Sequence, residues 1–241
     1  MKKFNWTAII PAAGKSTRFK SKISKIFFIY KKKSILENIL DKVLYFTSNV
    51  VIVVNENDKK KCNLILRKYK NRNIKIVIQK KINGMGTAIQ LALKKTKTKN
   101  FFSLWGDQLG LSTKTMRTTI DFFEKNEFSI IFPAVYKKKP YTNVDLKDGG
   151  FLKNIKQSRE NKILKRKGYS DCGFFCCKTK SVKSSLNQLI RSKSIITKKT
   201  KEYDFLLFLN IFAKKNKIKV LKSSIIKDSI GVNSKQDFNL L

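Results

Sequence analysis

The sequence contains no histidine and has few acidic residues, prolines and cysteines. Its 241 residues include 16 Asp+Glu, three prolines and four cysteines. Without histidine, a Ser-His-Asp or Cys-His catalytic group, a histidine-ligated zinc site and an imidazole general base are excluded. Because carboxylates are scarce, an acid that stands beside an apolar segment is a candidate for a functional role.

The cysteines do not have the spacing of a metal site, because the sequence has no C-x-x-C pair and no histidine to complete a ligand set. They are Cys62, Cys172, Cys176 and Cys177. We interpret all four as reduced, buried side chains of a cytoplasmic protein. The adjacent residues Cys176 and Cys177 are predicted to lie in one strand, with their side chains on opposite faces.

Long hydrophobic runs are missing from the sequence as well. The apolar run Trp6–Pro11 is too short for a signal peptide and contains a proline, so we interpret it as a first strand. The later apolar stretch Phe205–Ala213 has less than half of the ~20 residues that a membrane span needs. The sequence therefore predicts a soluble protein without membrane insertion, and we expect a cytoplasmic location.

Basic residues are abundant, since 54 Lys+Arg against 16 Asp+Glu give a formal charge of +38. One hypothesis is a nucleic-acid-binding protein without catalysis, because a basic surface neutralises phosphates. The other is a general compositional drift towards lysine. The lysines are spread along the whole chain, and no cluster of arginine and aromatic residues resembles a base-stacking motif. This distribution favours compositional drift, and we expect no nucleic-acid partner.

Short apolar runs alternate with helical patterns through the first half of the chain. Apolar residues at helical spacing predict a helix over Ser34–Phe46, with Ser34 as its N-cap. The alternation predicts an α/β fold with a Rossmann-like, doubly wound mixed sheet that is mostly parallel and has helices on both faces. The other predicted strands are Val50–Val54, Ile74–Gln79, Phe101–Trp105 and Phe128–Val135, and the other helices are Asp58–Tyr69, Gly86–Lys95 and Thr113–Lys125.

The pattern changes after Pro133. Strands Tyr141–Leu146 and Phe151–Gln157 are joined by a glycine-containing turn that is typical of a hairpin. Because no linker rich in Pro, Gly or Ser interrupts the chain, we predict one domain over residues 1–241, with an NTP-binding half at 1–140 and an acceptor-binding half at 141–241. The remaining predicted elements are a strand Cys172–Cys177, helices Ser181–Arg191 and Glu202–Lys214, and a strand Ile218–Leu221.

The loop after the first strand combines small and basic residues. Gly14 permits a positive φ, and backbone N–H groups beside Lys15 and Arg18 would suit phosphates. The P-loop pattern is incomplete because position 9 is isoleucine, and the G-x-G-x-x-G pattern fails at positions 16 and 19. An ordinary strand-to-helix turn with solvated basic residues is the alternative. The candidate NTP-binding residues of this loop are Ala12, Ala13, Gly14, Lys15, Ser16 and Thr17.

This loop resembles the signature loop of the nucleotidyltransferases that couple an NTP to a phosphorylated sugar or alcohol. In that family a lysine follows, usually after a proline, and Ser24-Lys25 stands at that place here. The next family segment, G-K-P/S at the start of a helix, is similar to residues 32–36. The resemblance implies the nucleotidyltransferase fold of the glycosyltransferase-A-like type, with Arg18 and Lys25 as catalytic residues.

The segment Gln79–Ala88 is similar to the Q-x-x-x-x-G-T-G-x-A segment of the N-acetylglucosamine-1-phosphate uridylyltransferases. In those enzymes the glutamine and the first glycine contact the base, so the resemblance implies that Gln79 and Gly84 bind the NTP. Met85 replaces the threonine of that segment, which leaves the nucleobase open. For Gly84 the alternative is a turn that starts a helix.

Two further segments carry the implied metal site. Leu104–Asp107 resembles the family's Y/W-G-D at the end of the fourth strand, and Ile230–Asn233 resembles its G-V-N/D segment. An aspartate just beyond the carboxyl end of a parallel strand lies where α/β sheets bind ligands, and Mg²⁺ prefers carboxylate and phosphate oxygens. The resemblance implies Asp107 and Asn233 as metal ligands and Mg²⁺ as cofactor, whereas a turn or helix-capping role is the alternative for Asp107.

The second half of the sequence matches the family less closely. The resemblance implies that Gln157 and Asp171 contact the acceptor, and a turn or strand-edge role is the alternative for Asp171. The family's Gly-Tyr-Gly-Arg stretch is replaced by Thr142–Asp145, which leaves the acceptor open. The sequence ends where bifunctional members would begin a left-handed β-helix acetyltransferase, so the resemblance does not imply that activity.

The implied reaction suits a chain without histidine. An oxygen of a sugar-1-phosphate attacks the α-phosphorus of the NTP, pyrophosphate leaves, and an NDP-sugar forms. Because a phosphate monoester has a second pKa of about 6 and is largely ionised at pH 7, no general base is required. Lys15 and Arg18 would hold the β/γ-phosphates, and Lys25 would support the α-phosphate.

The resemblance thus implies a cytoplasmic transferase of sugar-nucleotide biosynthesis that uses UTP and supplies precursors for cell-surface polysaccharide. One alternative is a cytidylyl- or guanylyltransferase for phosphocholine, another sugar phosphate or a molybdenum cofactor. A nucleotidyltransferase-like protein that only senses nucleotide and the nucleic-acid-binding protein without catalysis are the others. The sequence leaves the acceptor and the oligomeric state open.

Overall fold

A computed structural model of the chain describes residues 3–14, 16, 19, 21, 23–160 and 166–241. Within these ranges no helix is both long and apolar enough to cross a membrane. The strands are β1 Thr7–Pro11, β2 Ile29–Tyr30, β3 Lys33–Ser34, β4 Asn49–Val54, β5 Asn73–Ile78, β6 Asn100–Leu104, β7 Ile130–Lys138, β8 Thr142–Lys147, β9 Phe151–Gln157, β10 Lys167–Asp171, β11 Phe174–Lys178 and β12 Ile218–Ser223. The helices are α1 Ile35–Phe46, α2 Lys59–Leu66, α3 Met85–Leu93, α4 Thr113–Glu124, α5 Thr179–Arg191 and α6 Phe205–Phe212.

Ten of the described strands form one mixed sheet in the order β10-β8-β9-β12-β7-β11-β6-β1-β4-β5. The strands β6, β1, β4 and β5 are parallel neighbours, with Thr7 of β1 opposite Asn49 of β4 and Phe101 of β6. β11 is antiparallel to both β6 and β7, and β12 runs parallel to β7. Strands from both halves of the chain therefore belong to the same sheet.

Both faces of the sheet are covered by helices, as the alternation in sequence predicted. Residues of α1, α2 and α4 pack in one core cluster, and residues of α3, α5 and α6 pack in the other. Side chains alternate between the faces along each strand, so Ala8 and Ile10 contact the first cluster and Ile9 contacts the second. The same alternation places Cys176 in the first cluster and Cys177 in the second, which confirms the expected opposite faces.

Helix α1 begins where its capping residues predict. The Ser34 hydroxyl accepts a hydrogen bond from the Glu37 N–H at 3.2 Å, and the Glu37 carboxylate accepts one from the Ser34 N–H at 2.8 Å. This capping box satisfies two backbone donors at the first turn. The predicted Ser34 N-cap is therefore confirmed.

Two predicted elements differ from the structure. The strand predicted over Cys172–Cys177 begins two residues later, as β11 Phe174–Lys178, because Gly173 has a φ of 62° and interrupts the extended backbone before it. The strand β10 Lys167–Asp171 was not predicted. The helix predicted to begin at Glu202 begins at Phe205 instead. Asp204 is its N-cap and accepts a hydrogen bond from the Leu207 N–H at 2.7 Å, so the residues before it are non-helical.

Candidate active site

The candidate site lies where the parallel strands β1, β4, β5 and β6 end. Parallel strands have their carboxyl ends at the same edge of a sheet, and ligands of open α/β sheets bind there. The segments that leave this edge are residues 12–14, 55–58, 79–84 and 105–108. Residues 12–14, 79–84 and 105–108 contain residues of the predicted site, and Asp58 in the remaining segment accepts from Ser24, the neighbour of Lys25.

The first loop approaches the Asp107 segment closely at Gly106. The Gly106 N–H donates to the Pro11 carbonyl at 3.3 Å. A Cβ on Gly106 would lie 2.9 Å from the Cβ of Ala12, so a larger residue would push the two segments apart. Glycine at this position therefore allows Asp107 to lie beside the loop predicted to bind the NTP.

The carboxyl-terminal segment returns to the same place and adds Asn233. The Val232 N–H donates to the Asp107 carbonyl at 2.8 Å, and the Gly110 N–H donates to the Ile230 carbonyl at 3.0 Å. The Asn233 N–H is held by the Asp237 carboxylate at 2.7 Å. These bonds join the two segments predicted to ligate the metal.

Lys25 joins both predicted metal ligands through its ammonium. Lys25 Nζ forms an ion pair with Asp107 Oδ2 and donates to Asn233 Oδ1 at 3.2 Å. The side chains of Lys25 and Asp107 are 17% and 18% exposed, so the pair is largely shielded yet reachable from solvent. We call Lys25, Asp107 and Asn233 the lysine–aspartate cluster.

The lysine–aspartate cluster has the donor chemistry of a magnesium site. Asp107 offers a carboxylate and Asn233 a neutral carbonyl oxygen, and both contact the Lys25 ammonium. Mg²⁺ is commonly bound by one or two protein oxygens together with substrate phosphates and water. No group of three or more His, Cys, Asp or Glu side chains suited to a metal occurs among the residues that the structure describes. The residues present fit Mg²⁺ held jointly with a polyphosphate.

The first loop is described in part. Ala12 and Ala13 are buried, whereas Gly14 is exposed and has open space around it. Gly14 does not use the positive φ that glycine permits, whereas Ser16 has a φ of 54°. The Ser16 hydroxyl accepts a hydrogen bond from the Lys25 N–H at 3.0 Å. The predicted residues Lys15, Thr17 and Arg18 lie outside the described residues.

Gln79 and Gly84 lie together at the start of α3. The buried Gln79 amide donates to the Gly84 carbonyl at 3.0 Å and to the Thr87 hydroxyl at 2.8 Å. Gly84 has a φ of 117°, and a Cβ there would lie 2.3 Å from the Tyr203 carbonyl oxygen. This close approach explains the glycine by packing, and the NTP contacts of both residues stay predictions.

Asp171 is a buried carboxylate with internal hydrogen bonds. It accepts from the Thr142 hydroxyl at 2.7 Å and from the Gly173 N–H at 2.8 Å. Burial raises its pKa above the usual value, and the negative charge of Asp107 raises it further. Asp171 therefore belongs to the same electrostatic environment as Asp107, and its contact with an acceptor stays a prediction.

Gln157 belongs to a network that we call the arginine network, formed by Gln157, Arg159, Glu202 and Asp204. Gln157 accepts from Arg159 Nε at 3.0 Å and donates to Asp204 at 2.7 Å, while Arg159 Nη2 lies 2.7 Å from Glu202. Burial raises the pKa of Asp204 although hydrogen bonds from Leu207 and Gln157 oppose that rise. The structure thus gives Gln157 internal partners, and its acceptor contact stays a prediction.

Asp228 is a residue of the site that the sequence reasoning missed. It is fully buried and accepts from the Ser112 N–H at 2.8 Å and from the Ser223 hydroxyl at 3.1 Å. Gln108, next to Asp107, also donates to the Asp228 carbonyl at 2.9 Å. The available signal was an acid close to the apolar Ile230–Val232 segment in a chain with few acids.

Lys42 is a second residue that was missed, because its position on α1 resembles that of an ordinary solvated lysine. Its ammonium donates to the carbonyls of Leu109 and, at 2.7 Å, of Leu111. Burial lowers the pKa of Lys42 to about 8. Lys42 thereby ties the loop after Asp107 to α1.

Solved structures share this fold. The inositol-1-phosphate CTP transferase from T. maritima has a TM-score of 0.74 and 18% identity, with 96% of this chain and 90% of that chain covered. The 4-diphosphocytidyl-2C-methyl-D-erythritol synthase from Anaerococcus prevotii has a TM-score of 0.68 and 18% identity, with 99% and 96% covered. Both structures therefore share the fold of this chain, in which the lysine–aspartate cluster lies at the carboxyl ends of β1 and β6.

The family can be stated more narrowly. The model of the MobA-like NTP transferase domain matches residues 8–189, and the chain belongs to this family. The bifunctional protein GlmU of Buchnera aphidicola subsp. Schizaphis graminum is 29% identical over 234 residues, which cover 97% of this chain and 49% of that protein. The chain therefore spans about half the length of the curated relatives it matches.

Proposed function

We propose that the protein transfers a uridylyl group from UTP to a sugar-1-phosphate, releasing pyrophosphate and forming a UDP-sugar. The observation that carries this proposal is the lysine–aspartate cluster, in which Lys25 contacts both Asp107 and Asn233 at the carboxyl ends of β1 and β6. Membership of the MobA-like NTP transferase domain family supports the reaction class. Similarity to GlmU over 97% of the chain favours a sugar-phosphate acceptor.

The chain's own residues bind and orient two polyanions in this proposal. Lys25 supports the α-phosphate and the charge that develops during transfer, because an ammonium held in a shielded site stabilises such charge more than water does. Asp107 and Asn233 would hold Mg²⁺, which supplies charge neutralisation on the phosphates. The attacking phosphate oxygen is already ionised near pH 7, so no side chain has to remove a proton.

The placement of Asp171 supports the acceptor side of the proposal. Its carboxylate is buried beside Gly173, whose carbonyl accepts from the Trp105 N–H at 3.0 Å. Trp105 is two residues before Asp107, so an acceptor that reaches the Asp171 segment also lies near the lysine–aspartate cluster. A sugar-1-phosphate has hydroxyls that suit the Asp171 segment and a phosphate that suits the lysine–aspartate cluster.

Cytidylyl transfer is the second candidate function. Both solved structures cited above carry cytidine chemistry in their names, and Met85 stands where the uridylyltransferase segment has threonine. Gln79 is predicted to contact the base, yet its amide nitrogen already donates to the Gly84 carbonyl and to the Thr87 hydroxyl at the start of α3. The base preference is therefore a question for direct measurement.

The test is pyrophosphate release from a panel of NTPs and acceptors with Mg²⁺ present. UTP, CTP, GTP and dTTP are each paired with N-acetylglucosamine-1-phosphate, glucose-1-phosphate, inositol-1-phosphate and phosphocholine. We expect the highest rate with UTP and a sugar-1-phosphate. A highest rate with CTP would select the second candidate, and NTP binding without release from any pair would reduce the protein to a nucleotide sensor.

A further inference from the structure

Asp58 is a buried carboxylate that the proposed reaction does not use. It follows β4 at the sheet edge of the candidate site and is 7% exposed. Asp58 Oδ2 accepts from the Ser24 hydroxyl at 2.6 Å and from Asn55 Nδ2 at 2.6 Å. Asn55 in turn accepts from the Asp58 N–H at 3.0 Å, so the carboxylate is held in one orientation.

The carboxylate does not serve the helix that follows it. Asp58 occupies the N-cap position of α2 but makes no side-chain capping bond there. An aspartate at an N-cap ordinarily accepts from the N–H groups of the first helical turn. Here its side chain is directed across the fold to Ser24, 34 positions earlier in the chain.

Ser24 is the residue immediately before Lys25. The Ser24 carbonyl accepts from the Phe27 N–H at 3.0 Å and the Lys25 carbonyl accepts from the Phe28 N–H at 3.0 Å, which forms a single 3₁₀ turn. On the other side, the Lys25 N–H donates to Ser16 at 3.0 Å. The backbone of Lys25 is thus held between a turn that Asp58 anchors and the first loop.

A fixed backbone matters for Lys25 because its side chain is long. A lysine loses much of its rotamer freedom when its ammonium is confined to one place. Lys25 Nζ is confined between Asp107 and Asn233, at the far end of four rotatable bonds. A displacement of about 1 Å in a charge-stabilising group can reduce catalysis roughly 100-fold.

We propose that Asp58 is a positioning residue for Lys25 and acts through the Ser24 hydroxyl. Its effect on nucleotidyl transfer rests on the proposed function, whereas its effect on the order of the 3₁₀ turn does not. Asp58 touches no substrate in this proposal. The alternative is a merely structural tie between the first loop and β4.

The first measurement is amide hydrogen exchange at Phe27 and Phe28, which needs no activity. We expect Ser24→Ala and Asp58→Ala to accelerate exchange at these two amides at least tenfold. Asp58→Asn keeps an oxygen acceptor for Ser24 and should leave exchange within about threefold of wild type. Unchanged exchange in both alanine variants would overturn the proposal, whatever reaction the protein catalyses.

The second measurement is kcat/KM for pyrophosphate release with the best pair from the panel. We expect Ser24→Ala and Asp58→Ala each to reduce it about 10- to 100-fold, and the double variant to be no worse than the poorer single variant. In a Lys25→Met background, Asp58→Ala should cause no further loss. A further tenfold loss in that background would show a structural role independent of Lys25 and overturn the proposal.

A rescue variant guards against global unfolding. Ser24 has a φ of −58°, which the ring of proline also fixes, so Ser24→Pro can hold the turn without a hydroxyl. Ser24→Pro with Asp58→Ala should restore slow exchange at Phe27 and Phe28 and most of kcat/KM. Failure of this rescue in a variant with wild-type Tm contradicts positioning through Ser24.

Ser34→Ala is the matched control. The Ser34 hydroxyl also donates to a buried carboxylate at 2.6 Å, that of Glu37, but its pair caps α1 and does not contact Lys25. We expect a lower Tm with kcat/KM within threefold of wild type. Absence of pyrophosphate release by wild type would reject the proposed function alone, since the exchange data still decide the role of Asp58.

Discussion

The lysine–aspartate cluster and the arginine network both contain ion pairs, yet they differ in which groups their charged side chains contact. In the cluster one ammonium contacts two oxygen ligands and the ion pair is partly open to solvent. In the arginine network the amide of Gln157 donates to Asp204 and accepts from Arg159, and Asp204 is buried at the start of α6. We expect the first arrangement to exchange its cation, whereas the second is tied to the start of α6 through Asp204.

This difference indicates where binding has to rearrange the protein. A metal or a phosphate that enters the lysine–aspartate cluster competes with contacts already made by Lys25, Asp107 or Asn233. The arginine network is buried only at its centre, where Asp204 accepts from Gln157, whereas its Arg159–Glu202 ion pair is 38% and 30% exposed. Replacing Asp204 removes a buried hydrogen-bond acceptor, which costs stability. We therefore expect substitutions in the cluster to change chemistry and substitutions in the network to change stability.

The largest effect is expected for Asp107→Ala. Loss of a group that stabilises charge in the transition state reduces rate about 10²–10³-fold, or roughly 3–4 kcal/mol. Pyrophosphate release at saturating Mg²⁺ measures it, with Asp148→Ala in an exposed turn as the control. Near-wild-type release by Asp107→Ala would remove the metal assignment and with it the contrast between the two regions.

Asp204→Ala should mainly reduce stability. The variant removes the N-cap of α6 and leaves Gln157 Nε2 and the Leu207 N–H without their carboxylate partner. We expect a loss of about 2 kcal/mol in the free energy of unfolding, measured by urea denaturation. A kcat more than tenfold lower at an unchanged free energy would show that the network acts in chemistry instead.

Lys25→Met sharpens the comparison by testing whether the cluster exchanges its cation. Without the ammonium, Asp107 and Asn233 are available to a divalent ion in the absence of nucleotide. We expect Mn²⁺ affinity, measured by electron paramagnetic resonance, to rise about tenfold, which corresponds to ~1.4 kcal/mol. Lys68→Met, which removes an exposed ammonium paired with Glu37, is the control, and equal affinities in wild type and Lys25→Met would contradict competition.

The smallest effect is a pH dependence outside both regions. Burial by itself raises the pKa of Glu37, but hydrogen bonds from Lys68 and Ser34 outweigh it and lower the pKa to about 2 from 4.5. Because the pKa is lower in the folded state, this stabilisation is present above pH 4.5 and is lost as the pH falls towards 2. Between pH 7 and pH 3 we expect the free energy of unfolding to fall about 1 kcal/mol less in Glu37→Gln than in wild type. This figure allows for the exposure of Lys68. Urea denaturation at pH 3 and pH 7 measures it, and parallel losses in both proteins would contradict it.

Much of the fold followed from local patterns. The capping residues of α1, the alternation in β1 and β4 and the change of pattern after Pro133 depend on neighbours within a few positions. Residues whose backbone departs from these patterns were placed less well. The positive φ of Gly173 makes a predicted strand begin two residues late, and the Asp204 N-cap makes a predicted helix begin three residues late.

Of the site, the resemblance selected the residues that the structure brings together in the lysine–aspartate cluster. Their roles in binding stay predictions, as do the predicted contacts of Gln79, Gly84, Gln157 and Asp171. Asp58 and Asp228 were not selected, because nothing in their immediate sequence distinguishes a carboxylate that caps a helix from one that holds a distant segment. Their partners lie 34 and 116 positions away.

The sequence by itself determined where most of the strands and helices lie, which faces they bury, and that chemistry here must proceed without histidine. The tertiary structure alone decided which polar atoms meet. Lys25 and Asn233 are 208 positions apart, and their contact depends on the order of strands in the sheet and on the return of the chain after β12. Local periodicity sets the face of a strand but not its neighbours, so only the assembled sheet places the ammonium between two distant oxygen ligands.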